Sequence, residues 1–536
     1  MNIRVWWPQF IKDRFEEIKM KRNSLNFIKY SLALCGIVYG VSAYGQTVFP
    51  TPAIIEKEEG SFVINKHEIT VQAPDTAAFY LKLFATNIVP KRTIRWEYNR
   101  AKADVVWIED KALPKDAYEI RITEHQVKIK ASDNGGFIYA VQTLRQWISQ
   151  EGSNVHFPCA RIEDAPRVTW RCFMLDSGRQ YQQIATLKKY IDMTSLLKMN
   201  YFHWHLTEGL GWRIDIRRYP RLAKVGGSVA KGKEQQGYYT QEEIRELVHY
   251  AAARNVTIVP EIDMPGHAEA ALFAYPELGC FGDTVTIPLR GFTHNIFCAG
   301  KDSTVSFLKN VLDEVCALFP SPYIHLGGDE APKENWNKCP DCQTRIKTMG
   351  LKNSHDLQLW FSAQMASYLK TKGKKAVFWG DVVYQDGYVL PDNVVIQWWN
   401  YRGHKDLALR NALQKHIPVI CSSNYYCYLN FPITPWRGYN IHRTFNFHDV
   451  YTSNPSDEVL KENNPLVLGM TAALWTDDGV TEDMIDIRLF PRIFALAEQM
   501  WCRGKRQDVE AFYTSVLKKK TWFEQHGFRF GPGMKE

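Results

Sequence analysis

Asp329 and Glu330 stand side by side in "YIHLGGDEAP", Tyr323–Pro332, directly after Gly327-Gly328. Two adjacent like charges at the end of a β-branched and aromatic run need a reason. One acid can protonate a leaving oxygen while the other steadies a positive charge that develops elsewhere on the same ligand. Glycoside hydrolysis commonly sets two carboxylates across the scissile bond, ~5–5.5 Å apart for retention and ~6.5–9.5 Å for inversion. Neighbours on a regular strand point to opposite faces, so this pair would not face each other across a bond. The two glycines free the chain to bring both acids to one ligand from different directions. That suits a substrate carrying its own nucleophile, such as a 2-acetamido sugar whose carbonyl oxygen attacks C1.

Residues able to position such a ligand recur at the ends of short apolar runs. Eight strands are expected: 168–176, 199–207, 256–263, 323–330, 376–381, 394–399, 417–423 and 466–475, with helical patterns such as "QEEIRELVHYAAARN" between them. Eight β/α alternations predict a (β/α)8 TIM barrel, whose catalytic groups lie at the C-terminal strand ends. Those ends carry Asp176 and Arg179; His205 and Glu208; Glu261, Asp263 and His267; Asp329 and Glu330; Trp379 and Asp381; Trp398 and Trp399; Tyr428 and Asn430; Trp475 and Asp477. Any one of these could be a capping acid or a rim ring. Together they describe a cup of acids and rings, the lining a carbohydrate wants. Ahead of the barrel, "SFVINKHEITVQA" and "YEIRITEHQVKIKA" alternate as strands do, and "GGFIYAVQTLRQWISQ" reads as a helix. The expected division is 1–45 as N-terminal extension and signal peptide, 46–165 as a small α+β accessory domain, and 166–536 as the barrel with closing helices.

Composition narrows the partners. The 536 residues are 45% hydrophobic and 23% charged, ordinary globular values, while 17 Trp and 26 Tyr favour stacking on flat ligand faces. Of the formal charge of +8, residues 1–45 supply half, through seven Lys/Arg against three acids. No long basic run follows, which argues against nucleic acid. The segment from Met20 has a basic start, an apolar run to about Val41 and the small-x-small site Ala43-Tyr44-Gly45, so export to periplasm or cell surface is expected, with cleavage near Gly45/Gln46 and no stable membrane span afterwards. Cys339-Pro340-Asp341-Cys342 is the one closely spaced cysteine pair, and without an evident second ligand pair it reads as a thiol or disulfide pair in a loop. His203 and His205, at i and i+2, read as strand packing and cup wall. No metal and no cofactor are expected.

"HLGGDE" resembles the signature of glycoside hydrolase family 20, the β-N-acetylhexosaminidases, and "WRCFMLDSGR", "FHWHLTEGLGWRIDI", "VPEIDMPGHAEA", "LWTDD" and "FPRIFALAEQMW" follow the family's motifs in order. The resemblance implies a retaining, substrate-assisted exo-hydrolase acting on terminal β-linked GlcNAc or GalNAc. It implies that Glu330 is the acid and that Asp329 holds the acetamide N–H. Asp263, His267 and Glu208 would support them, and Arg179 would grip the 3- and 4-hydroxyls. Trp379, Trp399 and Trp475 would form walls, and Tyr428 would bond the acetamide oxygen. The chain departs from the family at Gly209, where a second acid is usual, at Asn430, where an aspartate is usual, and at Asp477, where a glutamate is usual. The last two normally meet O4 and O6. Without the Asn430 carboxylate an anion at O6 is less repelled, so 6-O-sulfated GlcNAc is a second expected substrate beside plain GlcNAc. The competing reading is a non-catalytic carbohydrate-binding protein on a degenerate barrel.

Overall fold

The computed structural model describes residues 47–74, 77–287, 293–400, 406–433, 445–477 and 479–534. Trp170–Asp176 (β1), Tyr201–His205 (β2), Thr257–Glu261 (β3), Tyr323–His325 (β4), Lys375–Trp379 (β5), Val394–Trp398 (β6), Val419–Cys421 (β7) and Val467–Leu474 (β8) pair in parallel and close into a barrel, β8 returning to β1. Both faces of these strands are covered, so their sequences are near-continuous apolar runs rather than alternating ones. Each expected strand forms, but β4 stops at His325, five residues short of the run to Glu330. Gly327 and Gly328 take φ of 64° and 93°, a left-handed backbone that no strand can use.

The barrel interior changes character along its axis. At the N-terminal mouth Trp170 stacks on Tyr201 at 4.1 Å, with Tyr323 edge-on, above which Cys172, Val259, Val377, Val395 and Ile420 fill the section. Below the C-terminal mouth the layer is polar: His203, His205, Glu261, His325 and Gln397 are all fully buried. Register sets His205 level with Asp176 on one side and Glu261 on the other. Outer helices include Gln241–Ala252, opened by a capping box between Thr240 and Glu243, and Ser354–Thr371, capped by Asn353.

Before the barrel lies an eight-stranded mixed sheet. The two alternating runs each split into a pair of strands: Ile54–Ile64 and Glu68–Gln72, then the hairpin Tyr118–Thr123 and Gln126–Ala131. Helix Asn134–Trp147 packs on the sheet, its start fixed by Asp133, which accepts from Gly136 N–H at 2.8 Å. A Cβ on Gly136 would lie 2.2 Å from Ala117 O, so the close approach requires glycine. Sheet and barrel are joined by buried ion pairs: Lys198 Nζ to Asp164 at 2.7 Å and Arg171 to Asp116 at 2.8 Å. The basic and apolar N-terminal segment, with its expected cleavage near Gly45/Gln46, lies outside the described residues. Among those described, no helix is long and apolar enough to cross a membrane.

Candidate active site

The loop after β4 puts the two acids together. Gly327 passes so close to Asp263 that a Cβ would stand 1.7 Å from its Oδ1, and Gly328 N–H donates to that same oxygen at 3.1 Å. Gln358 holds Gly328 O at 2.7 Å. Glu330 is then forced to φ 46°, a left-handed conformation costing a non-glycine residue ~1–3 kcal/mol. Its N–H donates to Asp381 Oδ1 at 3.3 Å. The twist defeats strand alternation: Asp329 Oδ2 and Glu330 Oε2 lie 3.5 and 3.7 Å from one atom, His267 Nε2.

His267 is itself left-handed, at φ 49°, and its Nδ1 lies 2.8 Å from Glu208 Oε1. A line of groups thus runs from Glu208 through the imidazole to both acids. Burial disfavours charge on His267, but Glu208 and Asp329 outweigh it and raise its pKa well above the ordinary value. Burial likewise opposes charge on Glu208, yet Arg179 and His267 hold its carboxyl far below the usual range. Burial, with Asp329 second, pushes Asp263 well up and Glu330 up. The same two causes push Asp381 up to about 7.

Arg179 bridges Asp176, at 2.9 Å, and Glu208, with its guanidinium 5.1 Å over the Trp475 ring. Trp475 packs against Trp379 at 5.7 Å and Tyr428 at 5.8 Å, while Trp399 lies parallel to Tyr428. Trp399 is pinned by its indole N–H on Asp381 Oδ2 at 2.6 Å, and Trp379 by its own on Glu261 Oε1 at 2.8 Å. Arg179, Asp329, Glu330, Trp399, Tyr428, Asn430, Trp475 and Asp477 share a cavity of about 100 Å³. That is well below the ~300–1,000 Å³ of most ligand clefts. A larger depression of about 670 Å³ beside Gln180, Glu482 and Arg529 is lined by none of Arg179, Asp329, Glu330 and the wall tryptophans.

At the outer edge Asn430 and Asp477 both line the cavity. Asn430 donates through Nδ2 to Asp477 Oδ1 at 3.0 Å, so this donor is turned toward a carboxylate, and its buried Oδ1 is left as an acceptor. Arg437, His442 and Arg443, which follow it in sequence and could supply positive charge, lie outside the described residues. Sequence reasoning noted Asp381 and Glu261 as strand-end acids without giving them work. Both turn out to pin wall tryptophans, and Glu261 also takes His203 at 2.8 Å and His205 at 2.7 Å. Burial lowers His203 to about 4, while Glu261 outweighs burial to raise His205. Glu269 was missed altogether: a Cβ on Gly209 would lie 2.8 Å from its Oε2, so its buried carboxyl stands beside the position where a second acid was expected. The cysteine expectation holds for free thiols but not for a loop or a lone pair: Cys342 lies in helix Pro340–Thr348. Cys339 and Cys342 are buried, and Cys280 and Cys298 join them.

The catalytic-domain model of glycosyl hydrolase family 20 matches residues 168–503, and that family's domain 2 matches 45–165. The chain belongs to glycosyl hydrolase family 20. Within the family it is 33% identical to a β-hexosaminidase of Porphyromonas gingivalis over 511 residues, covering 91% of this chain but only 64% of that relative. It is 33% identical to a β-hexosaminidase of Akkermansia muciniphila over 397 residues, 73% of this chain and 80% of the relative. Among solved family 20 structures, a β-N-acetylhexosaminidase of Bacteroides fragilis is 59% identical, with a TM-score of 0.88 over 91% of this chain and 98% of its own. An exo-β-N-acetylglucosaminidase of Vibrio harveyi, solved with N-acetylglucosamine, is 26% identical, with a TM-score of 0.80 over 91% and 79%.

Proposed function

We propose that this chain is an exo-acting β-N-acetylhexosaminidase that retains configuration by using the substrate's acetamide as nucleophile. The observation that carries the reading is the convergence of Asp329 and Glu330 on His267 Nε2, at 3.5 and 3.7 Å, beside a ring-walled cup. In the first step the acetamide oxygen bonds to C1 as the C1–O bond to the leaving group breaks, and Glu330 gives its proton to the departing oxygen. Asp329 accepts the acetamide N–H and offsets the charge of the oxazolinium, while Tyr428 donates to the acetamide oxygen. In the second step Glu330 takes a proton from water, water attacks C1, and the acetamide is restored. Arg179, held by Asp176 and Glu208, fixes the ring hydroxyls with a planar fork. The reaction uses no cofactor.

A merely carbohydrate-binding role leaves the strained Glu330 backbone and the charged Glu208–His267 line without purpose. For the sugar's edge, Asn430 offers a neutral acceptor suited to a 6-hydroxyl, with Asp477 the one carboxylate beside it. Plain GlcNAc is therefore the principal substrate, and 6-O-sulfated GlcNAc is a second reading supported by the missing carboxylate at Asn430. The basic, apolar N-terminal segment supports a bacterial, exported enzyme. Four aryl glycosides test the assignment: β-GlcNAc, β-GalNAc, β-Glc and 6-sulfo-β-GlcNAc. The N-acetylated sugars should turn over and β-Glc, which has no acetamide, should not. Comparable rates on β-Glc would sink the substrate-assisted route.

A further inference from the structure

Four cysteines distant in sequence meet at one point. Cys280 and Cys298 come from the chain after β3, and Cys339 and Cys342 from the chain after β4. Their sulfurs all lie within 4.8 Å of one another, with Cys280–Cys342 at 3.9 Å, Cys298–Cys339 at 3.8 Å and Cys298–Cys342 at 3.6 Å. A disulfide would need ~2.05 Å. Four thiolates placed tetrahedrally at ~2.3 Å from a zinc ion stand about 3.8 Å apart, close to the spacing of these three pairs. We propose that Cys280, Cys298, Cys339 and Cys342 bind one structural Zn²⁺.

The backbone is arranged for this. An antiparallel bridge between Gly279 and Phe297 sets Cys280 beside Cys298, whose N–H donates to Leu278 O at 2.9 Å. Cys339 caps helix Pro340–Thr348 and Cys342 lies in its first turn, the C-x-x-C spacing of zinc knuckles. A Cβ on Gly300 would stand 2.3 Å from Cys342 N, so only glycine lets the two segments approach this closely. Gly300 and Lys301 turn backbone N–H groups toward the Cys298 sulfur. Each thiol loses its proton to solvent on binding, leaving a zinc tetrathiolate of charge −2. Lys301, its ammonium on Gly279 O at 2.6 Å, supplies nearby positive charge. Four soft thiolates in tetrahedral array select zinc over magnesium or calcium.

The site is a staple between two working loops. The loop after β3 begins with Asp263 and His267, and that after β4 begins with Asp329 and Glu330. Phe297 N–H bonds Pro265 O at 3.0 Å, and Trp336 Nε1 bonds Phe297 O at 3.0 Å, so the cysteine cluster continues directly into both.

Elemental analysis of the full chain, purified without a metal-affinity step, should find close to one zinc per chain. All ten cysteines outside the first 46 residues should react with a thiol probe after denaturation in chelator. Cys339→Ser/Cys342→Ser should lose that zinc and melt several degrees lower. Protein produced in cobalt should show thiolate-to-cobalt charge-transfer bands and the red absorption of tetrahedral cobalt, a readout that does not depend on the variant folding. Absence of those bands, a deficit of four thiols matching two disulfides, or a full zinc equivalent retained by the double variant would each overturn the site.

Discussion

Two clusters of buried charge sit at opposite ends of the barrel, built from the same residue types for opposite ends. At the N-terminal end Lys198 meets Asp164, whose oxygens also take the Tyr118 hydroxyl at 2.6 Å and the Trp501 indole at 2.8 Å. Arg171 meets Asp116 in the same region. Each cation there has its own carboxylate partner. At the C-terminal end Glu208, Asp263, Asp329, Glu330 and Asp381 gather around His267 and Arg179, and burial, with the excess of acid second, drives the pKa values of Asp263, Glu330 and Asp381 upward. A matched cluster locks two parts together. An unmatched one keeps protons available for transfer, which is what chemistry at the top of a barrel requires.

The largest expected effect lies in the unmatched cluster. Glu330→Gln should cost ~10²–10⁴-fold in kcat on substrates with poor leaving groups, because protonation of the departing oxygen is lost. An activated aryl leaving group should recover part of the first step, and the melting temperature should hardly move. Equal loss on both substrate types would remove Glu330 from the acid role. In the matched cluster the pattern should invert. Lys198→Met leaves Asp164 buried without its cation, so stability in urea should fall by ~3–5 kcal/mol while kcat per folded molecule stays unchanged. A catalytic defect without a stability defect would break the contrast.

Acidity offers a smaller, directional test. Burial and Asp329 raise the Glu330 pKa, and the His267 cation opposes them. The protonated form begins the reaction, so kcat/KM falls as pH rises through that raised pKa. His267→Gln removes the opposing cation, so the basic limb of the profile should move to higher pH while the maximum drops. A limb that stays in place would mean that another group sets it.

How much of this was legible in the sequence depends on the range of the forces involved. Short apolar runs and their alternation with helices are local, so the eight barrel strands and the Asn134–Trp147 helix could be read directly. The end of β4 was misplaced because "YIHLGGDE" has strand composition throughout, and only the positive φ of Gly327 and Gly328 stops it. The roles of Asp381 and Glu261 were hidden because their indole partners come from other strands. Cys280 and Cys298 lack the short spacing of Cys339 and Cys342, and a bridge between distant backbone segments brings them together. Glu269 lies within the quoted "VPEIDMPGHAEA", but nothing in that run gives it work, and only the space left by Gly209 points to it.

The last test concerns the outer edge of the unmatched cluster. Asn430→Asp adds a carboxylate beside Asp477, where the native amide now donates at 3.0 Å. Two carboxyls that close cannot both ionise easily, so one will hold a proton to higher pH than usual. The variant therefore gains its full negative charge only as pH rises. A 6-sulfate ~4 Å from that charge, at an effective dielectric near 20, would be opposed by up to about 4 kcal/mol, whereas a 6-hydroxyl would gain an acceptor. The ratio of kcat/KM for plain over 6-sulfated GlcNAc should accordingly rise in Asn430→Asp, and rise further with pH. If the unmodified enzyme does not turn over the sulfated sugar, or the variant loses equally on both sugars at every pH, then Asn430 does not govern position 6 and the second substrate reading falls.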